Sequence, residues 1–302
     1  MRRVFGLGET VLDIVFKDGQ PLTAKAGGSV LNALVSLARM GHDCHFISEL
    51  GQDKVGGIIT NFLNENKVGT GYLHQYAQGQ SAVAMAFLNK DNDAEYEFYK
   101  NYPAERLTAP LPDFKPNDIL LFGSSYAIAP AIRNQIVQIA KHAQECGCII
   151  IYDPNFRKKH DENQAFFLNY LKENFAFADM VRGSNEDFDN IYSATASDQV
   201  FSDIKNNCNN LIYTASANGI FLQSPKIKKH YAVAPIKTVS TIGAGDNFNA
   251  GLIHGILQKK INKVDLQFLP EENWDFLISC GIKCSAKVCQ SLDNYVPIEF
   301  QV

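Results

Sequence analysis

Short apolar or β-branched runs that stop at Gly, Ser, Asp or Asn alternate along this chain with runs whose apolar residues recur every three or four positions, and this rhythm restricts it to few architectures. Val4 to Leu7, Ile119 to Phe122, Ile149 to Tyr152, Met180 to Arg182, Leu211 to Thr214 and Ile220 to Gln223 read as strands. Ala131 to Glu145 and Asn247 to Lys259 read as helices. The expected fold is α/β, a doubly wound, mostly parallel sheet flanked by helices. Two stretches, approximately 11–23 and 81–104, instead hold alternating strands with polar, hairpin-like breaks, and together they predict a small β lid. With 302 residues and 46 % hydrophobic content, the chain can bury one large core. It carries no internal repeat and no low-complexity linker.

The run Ser240-Thr241-Ile242-Gly243-Ala244-Gly245-Asp246 opens onto the later of these helices, expected to begin near Asp246. Gly243, Ala244 and Gly245 have almost no side chain to hide their backbone N–H groups, and the positive end of a helix dipole adds to the same spot, so a phosphate would be held there. A bound phosphate repels the Asp246 carboxylate. Its useful partner is a hydroxyl that must lose a proton to attack a phosphoryl group. A strand-to-helix turn capped by Asp246 is the plainer reading of the same residues. Upstream, Gly27 and Gly28 allow close approach to a ligand, and Asn32 offers both a donor and an acceptor to hydroxyls. Leu31, Leu34, Val35, Leu37 and Ala38 follow at helical spacing, which places Asn32 in the first turn of a helix. Gly51-Gln52-Asp53-Lys54-Val55-Gly56 comes next.

Several classes are disfavoured. A net charge of −4 leaves no basic footprint for nucleic acid. No run of about eighteen apolar residues suggests a membrane span, and Met1-Arg2-Arg3 leads directly into a strand, so a cytoplasmic location is expected. The seven cysteines show no zinc-type pairing; Cys280 and Cys284, four apart on a predicted helix, read as buried thiols. Gly6-x-Gly8 after a strand hints at dinucleotide binding, but the third glycine is missing.

The two glycine-rich segments together resemble the paired signatures of the ribokinase-like carbohydrate kinases, also called the phosphofructokinase-B type, and the resemblance extends over nearly the whole chain. It implies a kinase transferring the γ-phosphoryl group of ATP, with Mg2+, to a primary hydroxyl of a sugar, with Asp246 as general base and Gly243, Ala244 and Gly245 forming the anion hole. Gly6 to Asp13 resembles the opening strand, which assigns sugar hydroxyls to Asp13, beside Gly27, Gly28 and Asn32. Asp153-Pro154-Asn155-Phe156-Arg157 is similar to a motif of fructokinases and 2-keto-3-deoxygluconate kinases, with Arg157 toward phosphate or a substrate acid group. Phe98 to Ala104 resembles a fructokinase segment, placing Phe98 at the sugar and making fructose the expected substrate. Alternatives are 2-keto-3-deoxygluconate, a nucleoside, or a non-catalytic sugar- or nucleotide-binding role. The nucleotide would meet Asn155, Ser184, Thr214, Ser216, Gly219 and Thr241, and a homodimer through the lid is implied. Three positions depart from the family pattern. Ser240 replaces an Asp that helps hold a monovalent cation, so potassium activation is not expected. Ser184-Asn185-Glu186-Asp187 stands for Asn-x-x-Glu, so either Glu186 or Asp187 serves the magnesium shell. Ser216 replaces the first glycine of Thr-x-Gly-x-x-Gly.

Overall fold

The computed structural model describes residues 2–89, 94–156 and 164–302. Its strands are β1 (Arg3–Leu7), β2 (Val11–Lys17), β3 (Gln20–Gly27), β4 (Asp43–Gly51), β5 (Val68–Tyr76), β6 (Gln80–Leu88), β7 (Ala94–Asn101), β8 (Ile119–Gly123), β9 (Ile149–Asp153), β10 (Met180–Ser184), β11 (Leu211–Thr214), β12 (Ile220–Gln223) and β13 (Lys228–Tyr231). The helices are α1 (Ser29–Arg39), α2 (Lys54–Glu65), α3 (Arg133–Glu145), α4 (Gln164–Phe177), α5 (Asn185–Tyr192), α6 (Ser197–Ile204), α7 (Ala244–Gln258) and α8 (Glu271–Cys289).

Nine strands form the large sheet, in the order β13-β12-β11-β10-β9-β8-β1-β4-β5. All neighbours from β11 to β5 pair in parallel, and only the β11–β12 and β12–β13 pairs are antiparallel, so β12 alone runs against the other strands. Alternate residues of one strand feed opposite cores: Ile119 and Leu121 join α1, α2, α7 and α8, whereas Leu120 and Phe122 join α3 to α6. The order reverses between β1 and β8, and the crevice beyond the carboxyl ends of the strands at such a reversal is where open α/β sheets bind ligands.

The strands read from sequence appear at β1, β8, β9, β10, β11 and β12. β4 was not among them, for it carries Ser48 and Glu49 in a central position. Both are buried and find partners: the Ser48 hydroxyl donates to Gly8 O at 2.7 Å, and Glu49 accepts from Arg106 and Tyr126. The helix expected near Asp246 starts two residues earlier, at Ala244, because Gly243 takes a left-handed φ of 78° and caps it.

Four strands form the small sheet, in the order β3-β2-β6-β7. Asp18 and Gly19, at φ 52° and 75°, make the two-residue turn between β2 and β3 that matches the twist of a hairpin. β2 then pairs in parallel with β6, which pairs antiparallel with β7. The lid therefore reaches Gly27 rather than ending near residue 23, and its last strand stops at Asn101 rather than 104. Residues 90–93 of its second polar break lie outside the described residues. Asp53 joins lid to body: its carboxylate caps α2 through Gly56 N and accepts from Ser81 N on β6, both at 2.7 Å. Cys280 and Cys284 are buried free thiols in α8, and among the described residues no helix is long and apolar enough to cross a membrane.

Candidate active site

The two glycine-rich segments meet where α1 crosses α7. Asn32 Nδ2 donates to Asp246 Oδ2 at 2.8 Å, although the two residues are 214 positions apart. One turn further along α1, the Ser36 hydroxyl donates to Asn247 Oδ1, while Asn247 Nδ2 donates to Gly243 O (2.8 Å) and to Asn294 O (2.7 Å). Every polar atom of the buried Asn247 amide thus has a partner, which fixes the start of α7. Asn32 Oδ1 is buried and has none among the described residues. A buried acceptor left open beside a carboxylate is what a ligand hydroxyl would satisfy.

Below the α7 turn lies a cation that the sequence reading did not single out. Arg182, on β10, donates to Asp153 Oδ2 (2.9 Å) and Thr214 Oγ1 (2.7 Å), and its guanidinium passes 2.6 Å from the point a Cβ on Gly245 would occupy. Any side chain at 245 would displace it. Asn249 Nδ2 donates to the same Asp153 oxygen at 2.6 Å, so β9, β10, β11 and α7 converge on one ion pair. A charged residue inside the apolar run Met180-Val181-Arg182-Gly183 was the available signal, since a buried strand cation requires a partner. The N–H of Ala244 turns inward to Thr241 O at 3.2 Å.

On the lid, Lys25, Asp13, Ala84 and Phe98 are aligned partners across β3, β2, β6 and β7 and so share one face. Asp13 Oδ2 lies 2.0 Å from where a Cβ on Gly27 would be, and Gly28 adopts φ 137° with Glu9 O pressed against it; neither position admits a side chain. Burial pushes the Asp13 carboxyl up to about 6. The Phe98 ring is 57 % exposed on this face. A loop after α8 joins the lid to the start of α7: Asp293 pairs with Lys25 at 2.8 Å, Tyr295 OH donates to Ala26 O at 2.9 Å, and Asn294 holds Asn247.

The residues expected at the nucleotide line the carboxyl ends of β9 to β11. Asn155, at φ 40°, donates its N–H to Asp153 Oδ1 in a tight turn, and Arg157 lies outside the described residues. Ser184 and Asp187 form a reciprocal cap on α5: Asp187 Oδ2 accepts from Ser184 N and Oγ at 2.7 Å, and Ser184 Oγ accepts from Asp187 N. Burial, and after it the charge of Asp153, raise the Asp187 carboxyl above the usual range; Asp187 is buried while Glu186 is exposed. Thr241 is exposed on the approach to the phosphate turn, and Gly219 closes the 214–219 loop at φ 90°. Among the described residues no group of three or more His, Cys, Asp or Glu side chains is arranged to hold a metal ion.

The model of the pfkB family carbohydrate kinases matches residues 1–299. At 25 % identity the chain is similar to aminoimidazole riboside kinase of Salmonella typhimurium over 84 % of its length and 80 % of that protein. It is equally similar, at 25 %, to probable fructokinase-5 of Arabidopsis thaliana over 94 % and 91 %. The crystal structure of aminoimidazole riboside kinase from Salmonella enterica, complexed with aminoimidazole riboside and an ATP analog, superposes with a TM-score of 0.81 at 21 % identity, covering 98 % of this chain and 97 % of that one. Fructokinase from Xylella fastidiosa with bound ATP gives 0.81 at 20 % identity, covering 96 % and 92 %.

Ser216 keeps a left-handed backbone, φ 47°, where the expected pattern had lost its glycine. A non-glycine residue there is strained, offset in part by the smaller chain entropy that serine loses on folding. Ser216→Gly should therefore stabilise the protein by roughly 0.5–1 kcal/mol. Urea unfolding of the two proteins checks this, and an unchanged or lower midpoint would remove the strain argument.

Proposed function

The chain belongs to the pfkB family of carbohydrate kinases, and from that premise we propose that it transfers the γ-phosphoryl group of ATP to a primary hydroxyl of a sugar, with fructose as substrate. The observation that carries this reading is the contact of Asn32 with Asp246, which brings the hydroxyl-binding and phosphate-binding segments within one hydrogen bond of each other. Asp13 and the open Asn32 Oδ1 accept sugar hydroxyls, with Phe98 against the ring face. Asp246, 8 % exposed and held by Asn32, takes the proton of the attacking hydroxyl. Gly243, Gly245 and Asp246 offer N–H groups to the transferring phosphoryl, and Arg182 beneath Gly245 adds positive potential there. The face of Asp13 and Phe98 lies opposite this turn, so closure of the lid would exclude water.

Magnesium would neutralise charge on the phosphates. Asp187 is the residue assigned to its water shell, because it is held at the carboxyl end of β10 by Ser184, near the charge of Asp153, while Glu186 is exposed. No monovalent cation is assigned, since Ser240 supplies no charge. Asn155, Ser184, Thr214, Ser216, Gly219 and Thr241 form the wall toward the nucleotide. A cytoplasmic setting fits the use of ATP. Leu22, Phe87 and Tyr99, exposed on the lid, mark the surface for a homodimer, which the mass in solution reports.

A riboside is the second reading. Its support is the equal similarity to aminoimidazole riboside kinase and the exposed Phe98 ring, which suits stacking on a base. ADP release screened over hexoses, pentoses, nucleosides and keto-acids separates these substrates, and silence across the panel would favour a binding protein without turnover.

Asp246→Asn keeps the shape and removes the base, so turnover should fall at least ~100-fold while ATP still binds. Near-normal turnover in that variant would exclude Asp246 as the base. Asp13 accepts hydroxyl protons best when ionised, and its carboxyl titrates at about 6. As pH falls through that value the group gains a proton, so the Michaelis constant for sugar should rise below about pH 6 and flatten above it. In Asp13→Asn it should be high throughout and lack this limb; a wild-type constant that does not move between pH 5 and 7 contradicts the assignment. Initial rates should also be the same in potassium and in tetramethylammonium at fixed ionic strength, and a large potassium-specific activation would show that the loop binds the cation without an Asp at 240.

A further inference from the structure

Lys25, Arg106 and Lys100 stand near the sugar-facing side of the lid, and each is paired with a carboxylate. Lys25 pairs with Asp293 at 2.8 Å. Arg106, over the Tyr102 ring at 3.5 Å, is buried against Glu49. Lys100 lies two residues beyond Phe98 on β7, which returns it to the Phe98 face, and its Nζ is 5.1 Å from that ring. Both oxygens of Glu9 accept from Lys100, at 2.7 and 2.8 Å, and Tyr102 OH donates to Glu9 as well. Glu9 is fixed in turn by its backbone, pressed against Gly28.

Asp13 differs from these groups: it has no ionic or hydrogen-bonding partner among the described residues, and only burial acts on its carboxyl. Among the described residues the inner face of the lid therefore presents the Asp13 carboxylate beside cations that are already paired, and Asp246, held by Asn32, is a further carboxylate near the site. Such a site attracts hydroxyls and repels a second anion. The side chains of Lys100 and Glu9 are 31 % and 19 % exposed, so the pair is reachable by a ligand lying on this face.

We infer that the Glu9–Lys100 pair sets the charge class of the substrate: by neutralising the one lysine beside Phe98, Glu9 makes the site accept uncharged polyols and reject sugars bearing a carboxylate. The inference rests on the sugar-kinase reading and deepens it. Lys100 would be available to an acid group if Glu9 lost its charge, so Glu9 acts as a specificity-determining residue without touching the reacting atoms.

The test compares fructose with 2-keto-3-deoxygluconate by calorimetric binding and by ADP release, for the wild-type chain, Glu9→Gln and Lys100→Gln. The wild type should favour fructose by at least ~100-fold in both measurements. Glu9→Gln should raise the ratio of acid to fructose affinity by at least ~10-fold, and raising the salt concentration should shrink that gain. Lys100→Gln leaves Glu9 unpaired and should move the ratio the other way. Opposite shifts from two neighbouring residues cannot come from general loosening of the lid. A wild-type preference for the acid, an unchanged ratio in both variants, or no binding of either compound would overturn the inference. Binding without ADP release would retire the kinase reading alone, because the affinity ratio is measured without turnover.

Discussion

The seam between α1 and α7 is the constraint from which the rest of the site follows. Two buried amides lie in it, and burying an amide is favourable only when its hydrogen bonds are replaced. Asn247 is fully satisfied by Ser36, Gly243 and Asn294, so it locks the angle at which the chain enters α7. Asn32 is satisfied on one side only, by Asp246. One amide therefore holds the structure, and the other is left incomplete where a ligand would arrive. Because the lid reaches α1 directly through Gly27 and Gly28, the same seam also sets where Asp13 stands relative to Asp246.

On a protein whose net charge is −4, a buried cation stands beneath the turn that opens α7. Arg182 lies under Gly245 at the positive end of α7, a position that is unfavourable for a cation unless a carboxylate answers it. Asp153 does so at 2.9 Å, and Asn249 steadies the same oxygen. The buried ion pair contributes little by way of net stability, since desolvation offsets the attraction. Its effect is positional: it ties the ends of three parallel strands to the first turns of a helix and leaves the guanidinium Nε without a partner among the described residues.

The sheet was legible because its strands end in the turn residues that punctuate α/β chains, and the two segments that meet at Asn32 and Asp246 stood out because glycines adjoin an amide or a carboxylate. β4 was hidden by Ser48 and Glu49, whose burial depends on Gly8, Arg106 and Tyr126, residues that no local pattern connects. Arg182, Asn247 and Asn249 escaped for the same reason, since their roles arise from contacts between distant elements. The start of α7 was misplaced by two residues because the left-handed φ of Gly243 is a backbone choice that the letter Gly permits but does not impose. Ser216 shows the converse. Its conformation follows the loop, not the residue, so a lost glycine did not mean a lost turn.

The loop from Ser291 to Val296 gives the lid and the turn before α7 a common support. Asp293 and Tyr295 hold β3 through Lys25 and the Ala26 carbonyl, while the Asn294 carbonyl between them accepts from Asn247 and packs 2.9 Å from the point a Cβ on Gly243 would take. Alternate residues of one short segment thus face two different elements. Val296 N donates to Ser36 Oγ at 3.1 Å, which returns the segment to the α1 and α7 seam. A displacement of β3 must be absorbed by residues that also set the backbone of Gly243, because the segment between them is too short to bend independently. The lid and the start of α7 are therefore mechanically continuous, even though Asn32 and Asp246, which meet between them, are more than two hundred residues apart.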